Sequence, residues 1–258
     1  MDREFVDGTV HSAGADIYYK IRGQGFPLIF LHGNGEDHTI FDPHVRYFSR
    51  YYQTIQIDSR GHGRSSHGKG TLTIEQMAED VFAVMDALLI RRAAVIGFSD
   101  GANIGMQMAV LDQERLTALI AVGGNAFPGG LRPGVYVPMW VQYQFYRIAS
   151  FLSSEYARKK ELYRLMVREP LLSGKKLEKV EIPVLILTGN KDMISIRHSR
   201  QIHQMFRNSE LRIFRGADHF AMFSEQNIKR YVHVCMEYLR RIPEAQPRPE
   251  VRTGGGNL

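Results

Sequence analysis

The sequence predicts an α/β protein in which helices cover both faces of a mostly parallel sheet. Short runs of continuous apolar residues alternate along the chain with stretches whose apolar residues recur at helical spacing. The short runs are apolar on both faces, as strands buried between two layers of helices must be. Glycine-containing loops follow several of them, and these loops are where sites are found in such sheets.

The predicted elements follow in chain order. Residues 16–22 alternate between apolar and polar, which is typical of a half-buried strand. Buried strands are predicted at 27–32, 52–58, 93–99, 116–124, 182–190 and 209–214. Helices are predicted at 73–88, 100–111 and 220–240, the first of them opened by Thr73 with Gln76 three residues later, as in a capping box.

One long segment interrupts this alternation. Residues 126–181 are rich in aromatic side chains and have helical spacing, so we expect a helical cap inserted into a core domain formed by 1–125 and 182–242. The segment holds ten Lys and Arg against five Asp and Glu, and most of the net charge of +6 resides there. A solvated basic face or steering of an anionic ligand explains this charge. Residues 243–258 contain Pro, Gly and charge, and disorder is expected for them.

Composition excludes several classes of function. With Cys235 as the only cysteine, the chain has no intramolecular disulfide and no zinc-ligand spacing. No apolar run is long enough to span a membrane, and no export signal or nucleic-acid motif is found, so we expect a cytoplasmic protein. Gly33-Asn34-Gly35 lacks the third glycine of a dinucleotide fingerprint, and we predict neither a cofactor nor a metal. The oligomeric state is left open.

The stretch GFSDG places Ser99 between two glycines, after an apolar strand and before a helix. Glycines at 97 and 101 allow the tight strand–turn–helix that exposes a nucleophilic serine. The helix N-terminus beneath the serine favours negative charge near its hydroxyl. Ser99 is therefore the predicted nucleophile.

A serine hydroxyl needs a base, and the base needs a carboxylate that orients it. His219 follows the strand at 209–214 and Asp192 follows the strand at 182–190, which gives the chain order Ser, Asp, His. Asp218 is an alternative acid close in sequence. Of the two backbone donors that an oxyanion requires, Asp100 N–H is one, since it directly follows the nucleophile.

The chain resembles the α/β-hydrolase fold family over residues 5–242, and in particular its small capped serine esterases. The resemblance rests on five motifs in order: HGNG at 32–35, IDSRGHGRS at 57–65, GFSDG at 97–101, GNKD at 189–192 and GADHF at 216–220. It implies an eight-stranded sheet, Ser99 as nucleophile, His219 as general base and Asp192 as the acid. It also implies Asn34 as the second backbone donor to the oxyanion.

Two features bear on the substrate. The carboxylate of Asp100 opposes the charge that an oxyanion hole must stabilise, so it must point away or be compensated. It either bonds to a neighbouring loop or, as similar SDG elbows in aminoacyl-ester hydrolases suggest, meets a cationic group of the substrate. Four side chains are candidates for an apolar acyl or alcohol pocket: Phe127, Trp140, Tyr143 and Phe220.

The preferred hypothesis is an enzyme that hydrolyses a small carboxylic ester through an acyl-enzyme. Carbon–carbon bond hydrolysis on the same scaffold is the main alternative, and amide, lactone and thioester cleavage and perhydrolysis also stay open. A ligand-binding receptor that kept the fold is the alternative from another class. Haloalkane dehalogenase and epoxide hydrolase activities are disfavoured, because relatives with those activities have an aspartate at the position of Ser99.

Overall fold

The computed structural model describes residues 5–247 and contains one eight-stranded sheet with the order β1-β2-β4-β3-β5-β6-β7-β8. The strands are β1 Val6–Ser12, β2 Ala15–Arg22, β3 Phe26–Leu31, β4 Tyr52–Ile57, β5 Ala93–Phe98, β6 Leu116–Val122, β7 Val184–Gly189 and β8 Ser209–Phe214. β2 runs antiparallel to its neighbours β1 and β4, and every other adjacent pair is parallel. The predicted mostly parallel sheet is confirmed.

Helices cover both faces of this sheet. They are α1 Asp42–Phe48, α2 Ile74–Ala87, α3 Asp100–Asp112, α4 Pro133–Ala149, α5 Ser154–Arg168, α6 Gly174–Leu177, α7 Ile196–Met205 and α8 Ile228–Arg240. Alternate residues of each strand belong to different cores: Ile29 and Leu31 pack with α2 and α3, whereas Leu28 and Phe30 pack with α1 and α8. Period-two alternation of side chains thus produces a core on each face.

Several elements differ from the sequence-based expectation, among them α7, which is not one of the predicted helices. The sequence does not predict β1, an edge strand whose mostly exposed side chains give it little apolar alternation, or α1, which has only seven residues. The closing helix begins at Ile228 rather than at 220, because residues 221–223 form a single 3-10 turn instead. The expected cap of α2 is present, with the Thr73 hydroxyl accepting from the Gln76 N–H.

The C-terminal segment is ordered further than expected. Residues 243–245 form a 3-10 helix, and Ala245 is fully buried. The hydroxyl of Tyr52 donates to the Ala245 carbonyl at 3.1 Å. The prediction that disorder starts at 243 is therefore wrong at its beginning, and residues 248–258 lie outside the described part of the chain.

Three helices, α4 to α6, fill the segment between β6 and β7. Its base is held to the core by backbone hydrogen bonds from Arg132 N to Met193 O, 2.9 Å long, and from Ser195 N to Gly130 O, 3.0 Å long. α4 has 17 residues, and no helix within residues 5–247 is both long and apolar enough to cross a membrane.

A buried ion pair fixes the loop that follows β4. The Arg60 guanidinium donates to both carboxylate oxygens of Asp80 on α2, at 2.6 and 2.7 Å, and both side chains are almost fully buried. The Ser12 hydroxyl donates to the same carboxylate. We expect Asp80→Ala to lower the free energy of unfolding by about 3–5 kcal/mol, because it leaves a buried guanidinium without its partner.

Urea unfolding of the wild type and the variant measures this loss. Asp86→Ala is the matched control, since Asp86 also pairs with an arginine, Arg115, but its side chain is 67% exposed. We expect that control to lower the unfolding free energy by less than about 1 kcal/mol. Equal effects of the two substitutions would contradict a special role for the buried pair.

Candidate active site

Three loops at one edge of the sheet carry the predicted catalytic side chains. Ser99 directly follows β5, Asp192 lies in the loop after β7, and His219 lies in the loop after β8. These three strands run parallel, so their C-terminal ends reach the same edge. The sheet thus brings together residues that are far apart in the sequence.

Ser99 occupies a strained turn. Its φ of 53° and ψ of −118° place it among three non-glycine residues with positive φ in the described part of the chain. The turn is so tight that a Cβ on Gly97 would clash with the carbonyl of Gly101. A Cβ on Gly101 would likewise clash with the carbonyl of Leu31. Strand and helix therefore cross at backbone distance, and only glycine fits at these two positions.

The three side chains form a continuous line of hydrogen bonds. His219 Nδ1 lies 2.7 Å from Asp192 Oδ1, and His219 Nε2 lies 3.0 Å from Ser99 Oγ. A carboxylate only accepts, so Nδ1 carries the proton and Nε2 accepts from the serine hydroxyl. Asp192 and His219 are buried, and the Ile194 N–H also donates to Asp192 Oδ1.

The hydrogen bonds of Asp192 and Asp218 distinguish which of the two acids orients His219. Asp218 is exposed, and its carboxylate accepts from the Phe220 N–H within its own turn. Only Asp192 contacts the imidazole of His219. Sequence order alone left this choice open.

The loop after β3 reaches over Ser99 and carries Asn34. His32 braces this loop: its Nδ1 donates to the Gly33 carbonyl, and its Nε2 accepts from the Ser59 N–H. Burial holds the pKa of His32 below its usual range, so the imidazole is neutral as both bonds require. Within residues 5–247, neither Asn34 nor Asp100 uses its backbone N–H in a hydrogen bond.

The carboxylate of Asp100 is turned toward amide side chains. It accepts from Asn34 Nδ2 at 2.9 Å and from Asn103 Nδ2 at 3.1 Å, one bond to each oxygen. Burial raises the pKa of Asp100, and these two bonds act in the opposite direction. The bond from Asn34 agrees with the expectation that Asp100 bonds to a neighbouring loop. The same Asn34 amide donates to the Leu162 carbonyl of α5.

A second carboxylate at the site was not predicted. Glu36 lies two residues beyond Asn34, half-buried, and its Oε2 accepts from the Gly33 N–H at 3.0 Å. Burial raises the pKa of Glu36 to about 7, and the nearby Asp100 adds to the increase. Acidic residues are common in exposed turns, so nothing in the sequence around Glu36 distinguishes it from a solvated side chain.

A cavity of about 220 Å³ borders Ser99 and His219. Its apolar wall consists of Leu131, Met139, Met166, Met193, Ile194 and Phe220. Its polar wall consists of Asn34, Glu36, Asp100 and Asn125. Two larger grooves, of about 570 and 550 Å³, lie elsewhere on the surface and include neither Ser99 nor His219.

The four predicted pocket residues differ in where the structure places them. Phe220 lines the cavity, but Phe127, Trp140 and Tyr143 do not. The Phe127 ring packs edge-on against His198, with 4.4 Å between centroids, and Trp140 is 42% exposed. On α4 it is Met139 that reaches the cavity. Trp140 is turned about 100° around the helix from Met139, and Tyr143 lies one turn further along.

Comparison with known proteins places this chain in a family. The model of the alpha/beta hydrolase fold matches residues 27–161, which is more than half of the chain. The chain belongs to the α/β-hydrolase fold family. The predicted fold class and family are thereby confirmed, and the chain is assigned to a family of hydrolases.

The sequence identity between this chain and individual α/β-hydrolases is modest. The chain is 35% identical over 120 residues to a putative carbamate hydrolase, RutD, of Azorhizobium caulinodans, covering 46% of this chain and 45% of the relative. It therefore spans less than half the length of that curated relative. It is 27% identical over 237 residues to the AB hydrolase superfamily protein YisY of Bacillus subtilis, covering 79% and 88% of the two chains.

Among solved structures, the enol-lactonase of Burkholderia xenovorans LB400 superposes with a TM-score of 0.75 at 19% identity. The match covers 90% of this chain and 99% of the enol-lactonase. At this identity the likeness shows the fold alone.

Proposed function

We propose that the protein is a serine hydrolase that cleaves small carboxylic esters through an acyl-enzyme intermediate. The observation that carries the proposal is the line of hydrogen bonds from Asp192 through His219 to Ser99. Its geometry is that of a nucleophile, its general base and the acid that orients the base. The cavity beside Ser99 provides space for a small acyl or alcohol group.

In the first step, Ser99 Oγ attacks the ester carbonyl carbon while its proton passes to His219 Nε2. Asp192 stabilises the imidazolium that forms, because its carboxylate already accepts from Nδ1. The tetrahedral intermediate then breaks its bond to the alkoxide oxygen. That oxygen takes the proton from Nε2, and the alcohol leaves.

In the second step, a water molecule gives a proton to His219 Nε2 and attacks the acyl carbon. Collapse of the second tetrahedral intermediate breaks the bond to Ser99 Oγ, which recovers its proton from His219. The products are one alcohol and one carboxylic acid. Both steps use only one water and groups of this chain.

Each tetrahedral intermediate carries a negative oxygen that needs fixed donors. We assign this role to the backbone N–H groups of Asn34 and Asp100, which have no other acceptor within residues 5–247. Asp100 opens α3, so the positive end of that helix dipole adds to the stabilisation. The side chain of Asp100 serves by holding Asn34 in place.

The helical segment of residues 126–181 acts in this proposal as a cap. α4 contributes Met139 and α5 contributes Met166 to the wall of the cavity, which shields the acyl-enzyme from bulk water. The names of two of the three proteins reported above, a putative carbamate hydrolase and an enol-lactonase, denote hydrolysis at a carbonyl carbon. That chemistry is shared with ester cleavage.

Two measurements test the proposal: labelling with a phosphonate that reacts with active serines, and the turnover of esters. We expect hydrolysis of p-nitrophenyl acetate, butyrate or octanoate, and a single adduct that peptide mapping assigns to Ser99. Turnover with the adduct at another residue would contradict the assignment of the nucleophile. Absence of both labelling and turnover would contradict the ester-hydrolase proposal and favour carbon–carbon bond hydrolysis or a receptor.

A further inference from the structure

The cavity beside Ser99 has an unbalanced charge. Two carboxylates, Glu36 and Asp100, line it, and no lysine or arginine does. Within residues 5–247, the basic residues of the helical segment therefore do not line this cavity beside its carboxylates.

The two carboxylates differ in what they can still bind. Each oxygen of Asp100 already accepts from an asparagine side chain. Glu36 accepts one hydrogen bond, from the Gly33 N–H to Oε2, and its other oxygen has no partner within residues 5–247. A carboxylate has about four lone-pair positions, so most of the acceptor capacity of Glu36 is unused.

Glu36 also lies close to the reacting atoms. A Cβ built on Gly33 would lie 2.9 Å from Glu36 Oε2 and 3.0 Å from the Cβ of Ser99. A group bound by Glu36 is therefore only a few bonds from the ester carbonyl that Ser99 attacks. The rest of the cavity wall is apolar and rich in methionine, so it suits the hydrocarbon part of a small substrate.

We propose that Glu36 binds a protonated amino group of the substrate, so that the enzyme prefers small esters with a cationic acyl or alcohol part. An ammonium group supplies the N–H donors and the positive charge that the carboxylate lacks. This inference rests on the proposed ester hydrolysis for its substrate class, although the binding site itself does not depend on it.

The pKa of Glu36, raised by burial to about 7, gives the proposal a pH signature. Below that pH the carboxyl becomes neutral and loses its attraction for a cation, so the preference for a cationic ester should grow from about pH 6 to 8. The ionisable groups around Glu36 include Asp37 in the same loop, Asp100 on α3 and His219 after β8. Both kinds of ester use the same His219 base, so this shared requirement cancels in the ratio of their rates.

Two isosteric esters test the preference: p-nitrophenyl β-alaninate, which carries an ammonium group, and p-nitrophenyl butyrate, which carries a methyl group in its place. We expect the wild type to favour the β-alaninate in kcat/KM. Glu36→Gln should lower kcat/KM for the β-alaninate by about 10- to 100-fold, the cost of one charged hydrogen bond. It should raise kcat/KM for the butyrate, because a negative charge beside the oxyanion is removed.

The ratio of the two kcat/KM values should rise with pH in the wild type and stay flat in Glu36→Gln. Glu79→Gln, which removes an exposed carboxylate on α2, is the matched control and should change neither rate. A wild type that prefers the butyrate, or a Glu36→Gln variant with unchanged preference, would overturn the proposal.

Binding to the Ser99→Ala variant separates this proposal from ester hydrolysis. Calorimetry should give a lower Kd for β-alaninamide than for butyramide, and Glu36→Gln in the same background should remove the difference. If no ester is hydrolysed but this difference in Kd is found, the cation site stands and the ester-hydrolase proposal fails. If esters are hydrolysed and the two amides bind equally, the cation site is refuted.

Discussion

Replacing Ser99 by alanine should lower kcat for p-nitrophenyl butyrate by about a millionfold. The proposed mechanism has no other nucleophile, because His219 Nε2 faces only the serine hydroxyl in the line of hydrogen bonds. The backbone donors of Asn34 and Asp100 survive the substitution. Some acceleration over water, about a thousandfold or more, should therefore remain.

Initial rates at saturating ester, with active sites counted by phosphonate labelling of the wild type, measure the loss. Ser154→Ala is the matched control, since Ser154 is an exposed serine at the start of α5. Its kcat should equal that of the wild type. Retention of wild-type turnover by Ser99→Ala would show that another group attacks the ester.

Asp192→Asn should lower kcat by about ten-thousandfold while leaving the fold intact. The carboxylate now accepts from His219 Nδ1 and from the Ile194 N–H through the same oxygen. An asparagine in that position is neutral, so it cannot stabilise the imidazolium that forms when His219 accepts the proton of the Ser99 hydroxyl. If its amide nitrogen faces Nδ1, the imidazole is also held in the tautomer that cannot accept that proton.

The control for this loss is Asp218→Asn, which removes the other acid near His219 in the sequence. Asp218 bonds only within its own turn, so we expect a change in kcat of no more than about threefold. Circular dichroism and thermal unfolding establish that both variants are folded. A large loss in Asp218→Asn together with a small one in Asp192→Asn would reverse the assignment of the acid.

The sequence predicts best where a residue needs a particular local structure. The turn at Ser99 requires glycine at 97 and 101 and an apolar strand before it, and these requirements are visible in consecutive residues. The buried strands β3, β5, β6 and β7 are equally visible, because both of their faces are apolar. Edge strand β1 and the seven-residue helix α1 lack such a signal.

The sequence predicts poorly those features of the site that depend on contacts between segments far apart in the chain. Asp192 and Asp218 are equivalent until the fold places one of them against His219. Glu36 is distinguished only by its burial beside Gly33, which depends on the packing of β3 against β5. The cavity wall depends on the rotation of α4, which places Met139 rather than the large aromatic Trp140 against the cavity.

Asn34 connects three parts of the molecule through one side chain. Its amide nitrogen donates to Asp100 on the helix of the proposed nucleophile and to the Leu162 carbonyl of α5, while its backbone belongs to the loop after β3. α5 therefore cannot shift far without breaking the bond to Leu162 or pulling the loop with it. The position of the helical segment is thus mechanically linked to the amide assigned to the oxyanion, and a ligand that displaces α5 would weaken catalysis without touching Ser99.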